Sequence, residues 1–480
     1  MMALIVVTIL LVTAAVLGVR ALWKKLRSGG PDGPAPQTTA AAAVPGETES
    51  AEPETTEPAG PELKETLDAA RLKFAMYDYD EAEKLLKSIP GYETNGEVQE
   101  ELKKIEEIRP TLVRQNIREI THVFFHILTV DPVTSYDSNK WGKQAGGYNS
   151  LMTTIPEFEK IIQSMYDKGF VIVSLHDMAY SETVDGKEVL KEGDILLPPG
   201  KQAFVMSEDD VCYYEYMKGA GYADKMIIGD DGRPTLHYTD PKGNEFVGDY
   251  DLVPILDKFI DKHPDFSYKG HKAAIAFTGY NGILGYRTDE TYLPENYQAH
   301  KVEGGHDVEA ERKEAVEVLK ALVADGYDLT SHSWGHRDMG QIPFADFKRD
   351  CDRWEKNVNS LIKEATGKPC DIMIYPKGAD VNTWHPYTHD NERFNYMHDL
   401  GFRYFCNVDS TRYWVQKGDD WLRQGRRALD GYNIYYDMVL DRKGTPDKKR
   451  LTDLFDAASV FDDRRPTPVP NYAGTTDYAN

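Results

Sequence analysis

Residues 203–210 read Ala-Phe-Val-Met-Ser-Glu-Asp-Asp. The apolar run from Ala203 to Met206 predicts a buried β-strand, which delivers the adjacent carboxylates of Asp209 and Asp210 to its carboxyl end. Enzymes built from strands and helices in alternation place their catalytic groups at such strand ends. A pair of acids after a strand also occurs in turns and helix N-caps, so the pair alone does not establish a site.

A second cluster follows far downstream, where a short strand leads into His332-Ser-Trp-Gly-His336. Histidines four residues apart on a helical turn lie on the same face, about 5–6 Å apart at Cβ. Two imidazoles and one carboxylate form a site for a divalent metal with open positions for water and substrate. The two clusters together predict a metal centre in which one aspartate binds the ion and the other is free to act as a base.

At these residues the chain resembles the polysaccharide deacetylases of carbohydrate esterase family 4. The first motif of that family is Thr-Phe-Asp-Asp, here Ser207-Glu-Asp-Asp210. The second, His-Ser/Thr-x-x-His, is matched in full by the histidine cluster. The resemblance implies that Asp209 is the general base and that Asp210, His332 and His336 bind a divalent metal, with zinc as the expected ion.

The third motif of the family ends in Pro-Tyr-Gly after a strand, and this chain has Met373-Ile-Tyr-Pro-Lys-Gly378 there. By the resemblance, the backbone N–H of Lys377 contributes to the oxyanion site, a role that does not depend on the side chain. The arginine that normally precedes this motif is missing. Asp409 and Arg427, which lie near later predicted strand ends, are candidates for tuning the base and the acid.

The histidine that protonates the leaving amine normally stands in the last motif of the family, but no histidine occurs after residue 398. An alternating strand near the front of the domain ends instead in His126. The order of this strand, the helix and strand that follow it, and then the aspartate pair resembles the circularly permuted branch of the family, which includes biofilm poly-N-acetylglucosamine deacetylases. This match assigns His126 as the general acid.

The predicted architecture is an α/β fold, an irregular (β/α) deacetylase-type barrel over residues 117–442 with an insertion at about 219–306. Residues 62–116 predict a helix pair, either a tetratricopeptide-like hairpin or a generic helical stalk. One such hairpin cannot bury its own apolar face, so we expect it to dock on another part of the protein. Residues 443–480 show no periodicity and predict an irregular C-terminal extension.

The N-terminal residues 1–27 contain an uncharged run over 3–19, which is long enough to predict a transmembrane anchor. Basic residues follow this run rather than precede it, which favours an uncleaved anchor over a signal peptide and a cytoplasmic body by the positive-inside rule. Residues 28–61 are rich in Pro, Ala, Thr and Glu and predict a disordered spacer. The spacer and the expected glycan substrate favour an extracellular catalytic domain, against the charge flank.

The net charge of −23 argues against nucleic acid as a partner, because phosphates bind basic surfaces. The sequence thus predicts a membrane-anchored, metal-dependent hydrolase that removes N-acetyl groups from a cell-surface or extracellular glycan. Aromatic rings stack on sugar faces, and Tyr280, Trp334 and Trp384 are candidate substrate contacts, although single aromatic residues also serve in packing.

Two alternative functions remain open at this stage. A glycan-binding surface protein on a diverged scaffold is favoured by three departures from the family motifs: Glu208, Val211 and Lys377. A deacylase of a small amide is favoured if the insertion roofs the cleft and admits only short ligands.

Limited proteolysis of the purified protein tests the domain boundaries. We expect protease to cut first within residues 28–61, because a chain without a packed core exposes its backbone, and to leave a fragment containing 117–442 intact. Mass spectrometry of the fragments locates the cuts. Resistance throughout 28–61 would show that the spacer is packed.

Overall fold

The computed structural model describes residues 60–476. The predicted transmembrane anchor and nearly all of the predicted spacer lie outside these residues. Within 60–476, no helix is both long and apolar enough to cross a membrane. The described chain forms one compact unit.

Seven parallel strands form a closed barrel. Each strand pairs with its neighbours in the chain, and the last strand closes the ring by pairing with the first. The predicted barrel is thereby confirmed. The strands are β1 Thr121–His126, β2 Gln202–Asp209, β3 Ala274–Phe277, β4 Asp328–Ser331, β5 Ile372–Ile374, β6 Tyr404–Val408 and β7 Leu422–Ala428.

The barrel is irregular because two successive strands pair with the same edge of the long strand β2. The short strand Phe170–Ile172 pairs with the first part of β2, and β3 pairs on the same side with Ser207 and Glu208. The predicted insertion carries a three-stranded antiparallel sheet outside the barrel. Its strands are Lys225–Ile228, Pro234–Thr239 and Glu245–Gly248. Other short strands are Val113–Arg114 with Leu196–Leu197, Ala179–Val184 with Lys187–Glu192, and Val415–Lys417 against β7.

Helices surround the barrel, and their sequences explain where they begin and which face they bury. Helix Ile155–Asp167 starts with a capping box, in which the side chains of Thr154 and Glu157 satisfy each other's backbone N–H groups. Its buried residues recur at helical spacing. The longer helices after β1 are Lys143–Leu151, Ile155–Asp167, Leu252–Lys262, Val308–Ala324, Phe344–Trp354, Ser360–Thr366, Glu392–Asp399 and Gly431–Arg442. Short helical turns lie at Pro132–Ser135, Ser138–Trp141, Leu175–Met178, Tyr297–His300 and Ala457–Val460.

Alternation along the strands divides the core into two layers. On β2, Val205 belongs to the cluster inside the barrel, whereas Phe204 and Met206 belong to the cluster between barrel and helices. The same parity holds on β5, where Met373 points outward between two inward isoleucines. Successive side chains of a strand point to opposite faces, so a one-residue step decides whether a side chain enters the barrel.

The N-terminal helices close the bottom of the barrel, at the amino ends of the strands. Three helices are present rather than the predicted pair: Gly60–Ala75, Tyr79–Lys87 and Gly96–Ile108. Their buried residues join the interior cluster of the barrel. The hydroxyl of Tyr77 donates to the carbonyl of Asp265 at 2.8 Å, and the N–H of Lys269 donates to the carbonyl of Met76 at 2.7 Å. This helical unit therefore docks on the barrel.

The C-terminal extension is largely irregular, and it is packed against the barrel helices. Its Arg465 forms a fully buried ion pair with Glu157, with Nε donating to Oε1 at 2.6 Å. A buried charge is tolerated only when it is paired and hydrogen-bonded. The pair therefore ties the extension to the helix that follows β1.

Replacement of Glu157 tests this anchor. Glu157→Ala leaves the guanidinium of Arg465 buried without its counter-charge, so we expect the free energy of unfolding to fall by about 3–5 kcal/mol. Glu309→Ala is the control: Glu309 pairs with Lys313 on an exposed helix face, and its loss should cost about 0.5 kcal/mol or less. Denaturant unfolding measures both values, and similar values for the two variants would contradict the assignment.

Candidate active site

The adjacent carboxylates of Asp209 and Asp210 both line one cleft at the carboxyl ends of the barrel strands. Two consecutive residues of a straight strand would point to opposite faces. Here β2 ends at Asp209, and Asp210 takes a left-handed conformation with φ of 62°. This turn lets both carboxylates face the same cleft. Left-handed backbone is uncommon outside glycine and is tolerated best by Asn and Asp.

The two histidines of the second cluster also reach the cleft, but through a loop. The sequence predicted a helical turn, and residues 332–336 instead form an irregular segment directly after β4. Left-handed backbone at Ser333 and His336 bends this segment, and Asp350 holds it by accepting hydrogen bonds from two of its backbone N–H groups. The imidazole rings of His332 and His336 are still close, with centroids 5.1 Å apart.

Asp210, His332 and His336 offer ligand atoms that all lie within 4.8 Å of one another. The Nε2 atom of His336 is 3.7 Å from Oδ2 of Asp210, and Nε2 of His332 is 3.9 Å from Oδ1. The hydroxyls of Tyr214 and Thr278 donate to Oδ1, at 2.5 and 2.8 Å. Such hydrogen bonds orient a ligand carboxylate.

The environment of His332 fits a metal ligand. Its Nδ1 lies 2.9 Å from the carbonyl oxygen of Ile374, which can only accept, so Nδ1 carries the proton and Nε2 has a free lone pair. That Nε2 atom is buried and has no hydrogen-bond partner in the described part of the chain. Burial lowers the pKa of His332 to about 4, against the opposing charges of Asp209 and Asp210. A neutral imidazole with an unused lone pair is the form that binds metals.

Asp209 is held by an arginine that sequence analysis missed. The guanidinium of Arg426 donates to both carboxylate oxygens, at 2.6 and 2.9 Å, and both side chains are buried. Burial alone would raise the pKa of Asp209, but the charge and hydrogen bonds of Arg426, together with the nearby imidazoles of His332 and His126, keep that pKa below its usual value. Asp209 is therefore a carboxylate in this site.

The two residues predicted to tune the site do not reach it. Arg427 is next to Arg426 on β7, so it points out of the barrel, where its guanidinium binds Asp453 at 2.8 Å. Asp409 accepts hydrogen bonds from Thr411 in a loop outside the cleft. Parity along β7 therefore corrects the prediction from Arg427 to Arg426.

His126 stands beside the aspartate pair, as the sequence predicted. In the β1–β2 pairing it is the partner of Asp209, and its ring lines the same cleft. Its Nδ1 lies 3.1 Å from the carbonyl oxygen of Leu151. Because that oxygen is an acceptor, Nδ1 donates, and the remaining ring nitrogen is available for substrate chemistry.

The cleft has a volume of about 820 Å³ and includes the segment with Lys377 in its wall. Lys377 has left-handed backbone, with φ of 59°. The next residue, Gly378, packs so closely on Val408 that an added Cβ would lie 2.4 Å from the Cβ of Val408. This contact accounts for the glycine kept from the family motif. The oxyanion role of the Lys377 N–H stays a prediction.

The aromatic residues proposed from sequence are not among those that line the cleft. Tyr280 stacks on Tyr214, with ring centroids 5.2 Å apart, and Trp334 donates to Asp289 at 2.7 Å. Trp384 is 68% exposed, and the carbonyl oxygen of its neighbour Thr383 accepts a hydrogen bond from Arg423. The rings that do line the cleft are Phe124, Tyr148, Tyr216 and Tyr472. Of these, Phe124 could have been found from sequence, because it is two residues before His126 on one strand.

Comparison with known proteins agrees with the resemblance seen in the motifs. Residues 295–405 match the family described as Polysaccharide deacetylase, and this segment contains both histidines and Lys377 but ends before β7 and starts after the aspartates. A comparison with curated proteins gives no match.

Three solved structures illustrate the similarity. The Streptococcus pyogenes deacetylase PplD in complex with acetate is 11% identical over 67% of this chain and 94% of that chain, with a TM-score of 0.34. IcaB from Ammonifex degensii is 12% identical over 66% and 93%, with a TM-score of 0.31. A de-N-acetylase from Aggregatibacter actinomycetemcomitans is 13% identical over 65% and 95%, with a TM-score of 0.32.

Calorimetric titration of the metal-free protein with Zn²⁺ tests the ligand set. We expect His336→Ala to weaken binding by more than the roughly 10–100-fold that loss of an outer hydrogen-bond partner costs, because a ligand itself is removed. His306→Ala is the matched control, since His306 pairs with Glu311 outside the cleft and its loss should leave the affinity unchanged. Equal affinities for the two variants would exclude His336 as a ligand.

Proposed function

We propose that this chain, whose residues 295–405 match the polysaccharide deacetylase family, is a metal-dependent hydrolase that removes N-acetyl groups from a glycan. One observation carries the proposal: two neighbouring carboxylates share a cleft but have different partners. Asp209 pairs with an arginine, whereas Asp210 lies against two imidazoles. Two like groups in different environments can take two different roles in one reaction.

Asp210, His332 and His336 would hold the divalent ion, and the donor set of one carboxylate and two imidazoles suits zinc. When bound, such an ion polarises a carbonyl oxygen and lowers the pKa of a water molecule. The lone pair of His332 that has no partner among the described residues supports this assignment. The identity of the ion as zinc is part of this proposal.

Asp209 would accept the proton of the attacking water. Its two oxygens accept from Arg426, and an ionised carboxylate has about four acceptor sites, so capacity remains for a proton. Its Oδ2 atom is 3.9 Å from Nε2 of His332. The base is therefore beside the proposed metal ligands without being one of them.

His126 would give a proton to the departing amine, which is a poor leaving group until it is protonated. The donated Nδ1 hydrogen bond to Leu151 fixes the ring, and the adjacent strand ends bring His126 and Asp209 to one cleft. The backbone N–H of Lys377 would stabilise the oxyanion from the wall that β5 provides. The products are acetate and the free amine of the sugar.

Two of the three motif departures that favour a binding protein, Glu208 and Val211, lie away from the proposed chemistry. The third, Lys377, lines the cleft but would act through its backbone N–H. Glu208 and Val211 are fully buried and do not line the cleft. Glu208 lies in the outer core beside Asp251, where burial and that neighbouring carboxylate raise its pKa well above the usual value. These substitutions change the packing behind β2 and leave the acid, base and metal-binding groups in the cleft.

We further propose that the N-terminal residues anchor the protein in a membrane and that the catalytic domain acts outside the cell on a surface glycan. The uncharged run over 3–19 and the Pro-, Ala- and Glu-rich spacer support this location. Fractionation of cells that produce the full chain, followed by protease treatment of intact cells, distinguishes an external domain from a cytoplasmic one.

Paired variants test the reaction. Asp209→Asn keeps the shape of the side chain but cannot accept a proton, so we expect acetate release from N-acetylglucosamine polymers to fall about 10²–10⁴-fold while metal content is retained. Asp210→Ala should lose metal and activity together. Metal analysis and acetate assays are run on both variants and the wild type.

Two outcomes would contradict the proposal. Near-normal turnover by Asp209→Asn would place the base elsewhere. A wild-type protein that binds metal and glycan but releases no acetate from any N-acetylated polymer would support the glycan-binding alternative, and release from short amides alone would support the small-substrate alternative.

A further inference from the structure

The last described part of the chain, residues 462–476, returns to the cleft. We call it the C-terminal strap. Tyr472 of the strap lines the cleft together with His126 and Asp430. Tyr472 is 54% exposed, so its ring forms part of the cleft wall rather than part of the core. This position could not be predicted from the sequence, because the strap has neither helical nor strand periodicity.

The first contact of the strap reaches His126 through a backbone segment. Besides its ion pair with Glu157, Arg465 donates to the carbonyl oxygens of Asn149 and Met152, at 2.8 and 2.6 Å. Between those two residues lies Leu151, whose carbonyl oxygen accepts the Nδ1 hydrogen bond of His126. Arg465 therefore fixes the stretch of backbone that orients the imidazole.

The second contact reaches the neighbourhood of His126 through Asp430. The hydroxyl of Tyr472 donates to Oδ2 of Asp430 at 2.6 Å, and the side chain of Asn433 donates to that hydroxyl at 2.7 Å. Asp430 comes shortly after the end of β7. The residue before it, Leu429, donates its N–H to the carbonyl oxygen of Phe124 on β1, so Asp430 lies level with the end of β1. The edge of the Tyr432 ring packs against the ring of Tyr472, with centroids 4.7 Å apart.

Asp430 and His126 line the same cleft. Burial raises the pKa of Asp430 to about 6, against the opposing hydrogen bond from Tyr472. This carboxyl accepts hydrogen bonds from the hydroxyl of Tyr472 and from the backbone and side-chain N–H groups of Asn433. The hydroxyl of Tyr472 is thus one of the donors that hold this carboxyl in the wall of the cleft that His126 also lines.

We propose that the C-terminal strap is a positioning element of the active site, and that Tyr472 and Arg465 hold His126 in the place where it protonates the leaving group. This inference rests on the proposed function, because it assigns a partner to the general acid of that reaction. Tyr472 acts through Asp430, and Arg465 acts through the backbone on both sides of Leu151.

Chemistry separates this role from a general effect on folding. An amide releases an amine, which departs only after it receives a proton, so its hydrolysis depends on a placed acid. An activated aryl acetate releases a phenolate, which departs without one. Both reactions use the same base and the same metal-binding residues. Loss of acid positioning should therefore slow the amide reaction and spare the ester reaction.

The test compares Tyr472→Phe with the wild type on an N-acetylglucosamine oligomer and on 4-nitrophenyl acetate. Phenylalanine keeps the ring and removes the hydroxyl. We expect kcat on the amide to fall about 10–100-fold, the size of effect that a small misplacement of a catalytic group causes, with KM little changed. We expect kcat on the ester to stay within about twofold.

Tyr180→Phe is the matched control, because Tyr180 is half exposed on the hairpin strand Ala179–Val184 at the other end of the barrel. A chain that ends at Pro470 removes the strap residues around Tyr472 but keeps Arg465 and its ion pair. It should show the same split between amide and ester as Tyr472→Phe. Thermal unfolding is measured for every variant.

An equal loss on amide and ester, or no loss on either, would overturn the inference and leave the proposed function standing. If the wild type hydrolyses the ester but never the amide, the proposed function fails, and the inference fails with it. A retained amide rate in the chain that ends at Pro470 would also overturn it, whatever the result for Tyr472→Phe.

Discussion

The ion pair between Arg426 and Asp209 is the interaction on which the site depends. Both side chains are buried at the mouth of the barrel, where an unpaired charge would be strongly unfavourable. Arg426 is on β7 and Asp209 on β2, with β1 between them. The pair thus connects the two strands on either side of the one that carries His126. The guanidinium of Arg426 also lies over the ring of Phe124 on β1, 4.2 Å from the centroid. Asp209, the strand that carries His126 and the strand that closes the barrel therefore meet at one contact.

The separation of functions between the two ends of the barrel follows from this arrangement. At the amino ends of the strands, apolar side chains from the barrel interior and the N-terminal helices form one cluster. Toward the carboxyl ends, the interior becomes polar. His122 and Ser207 are hydrogen-bonded to each other, Arg426 donates to the hydroxyl of Ser207, and the side chain of Gln424 donates to the carbonyl oxygen of Ile120. The interior of the barrel is therefore apolar at its closed end and polar at the end that carries the cleft.

The sequence predicted the barrel and the residues that meet in the cleft to the extent that local pattern carries the information. The apolar run ending in two aspartates, the histidine pair and the alternating strand before His126 are each visible within about ten residues. Arg426 and Arg427 show where this stops, because adjacent arginines on a strand can be told apart only when the register of β7 is known. The helical turn expected for residues 332–336 failed because Asp350, from a later helix, supplies the hydrogen bonds that shape the loop. The position of Tyr472 also depends on contacts between distant parts of the chain. Arg465, in the same strap, forms an ion pair with Glu157 on a helix some three hundred residues earlier.

The docking of the N-terminal helices also determines which end of the barrel is closed. The chain enters the described structure through helices that cover the closed end, and the cleft opens at the opposite end. A shortened protein that began at β1 would uncover the apolar lower opening of the barrel, so the smallest soluble enzyme must start before the helices and not at the first strand.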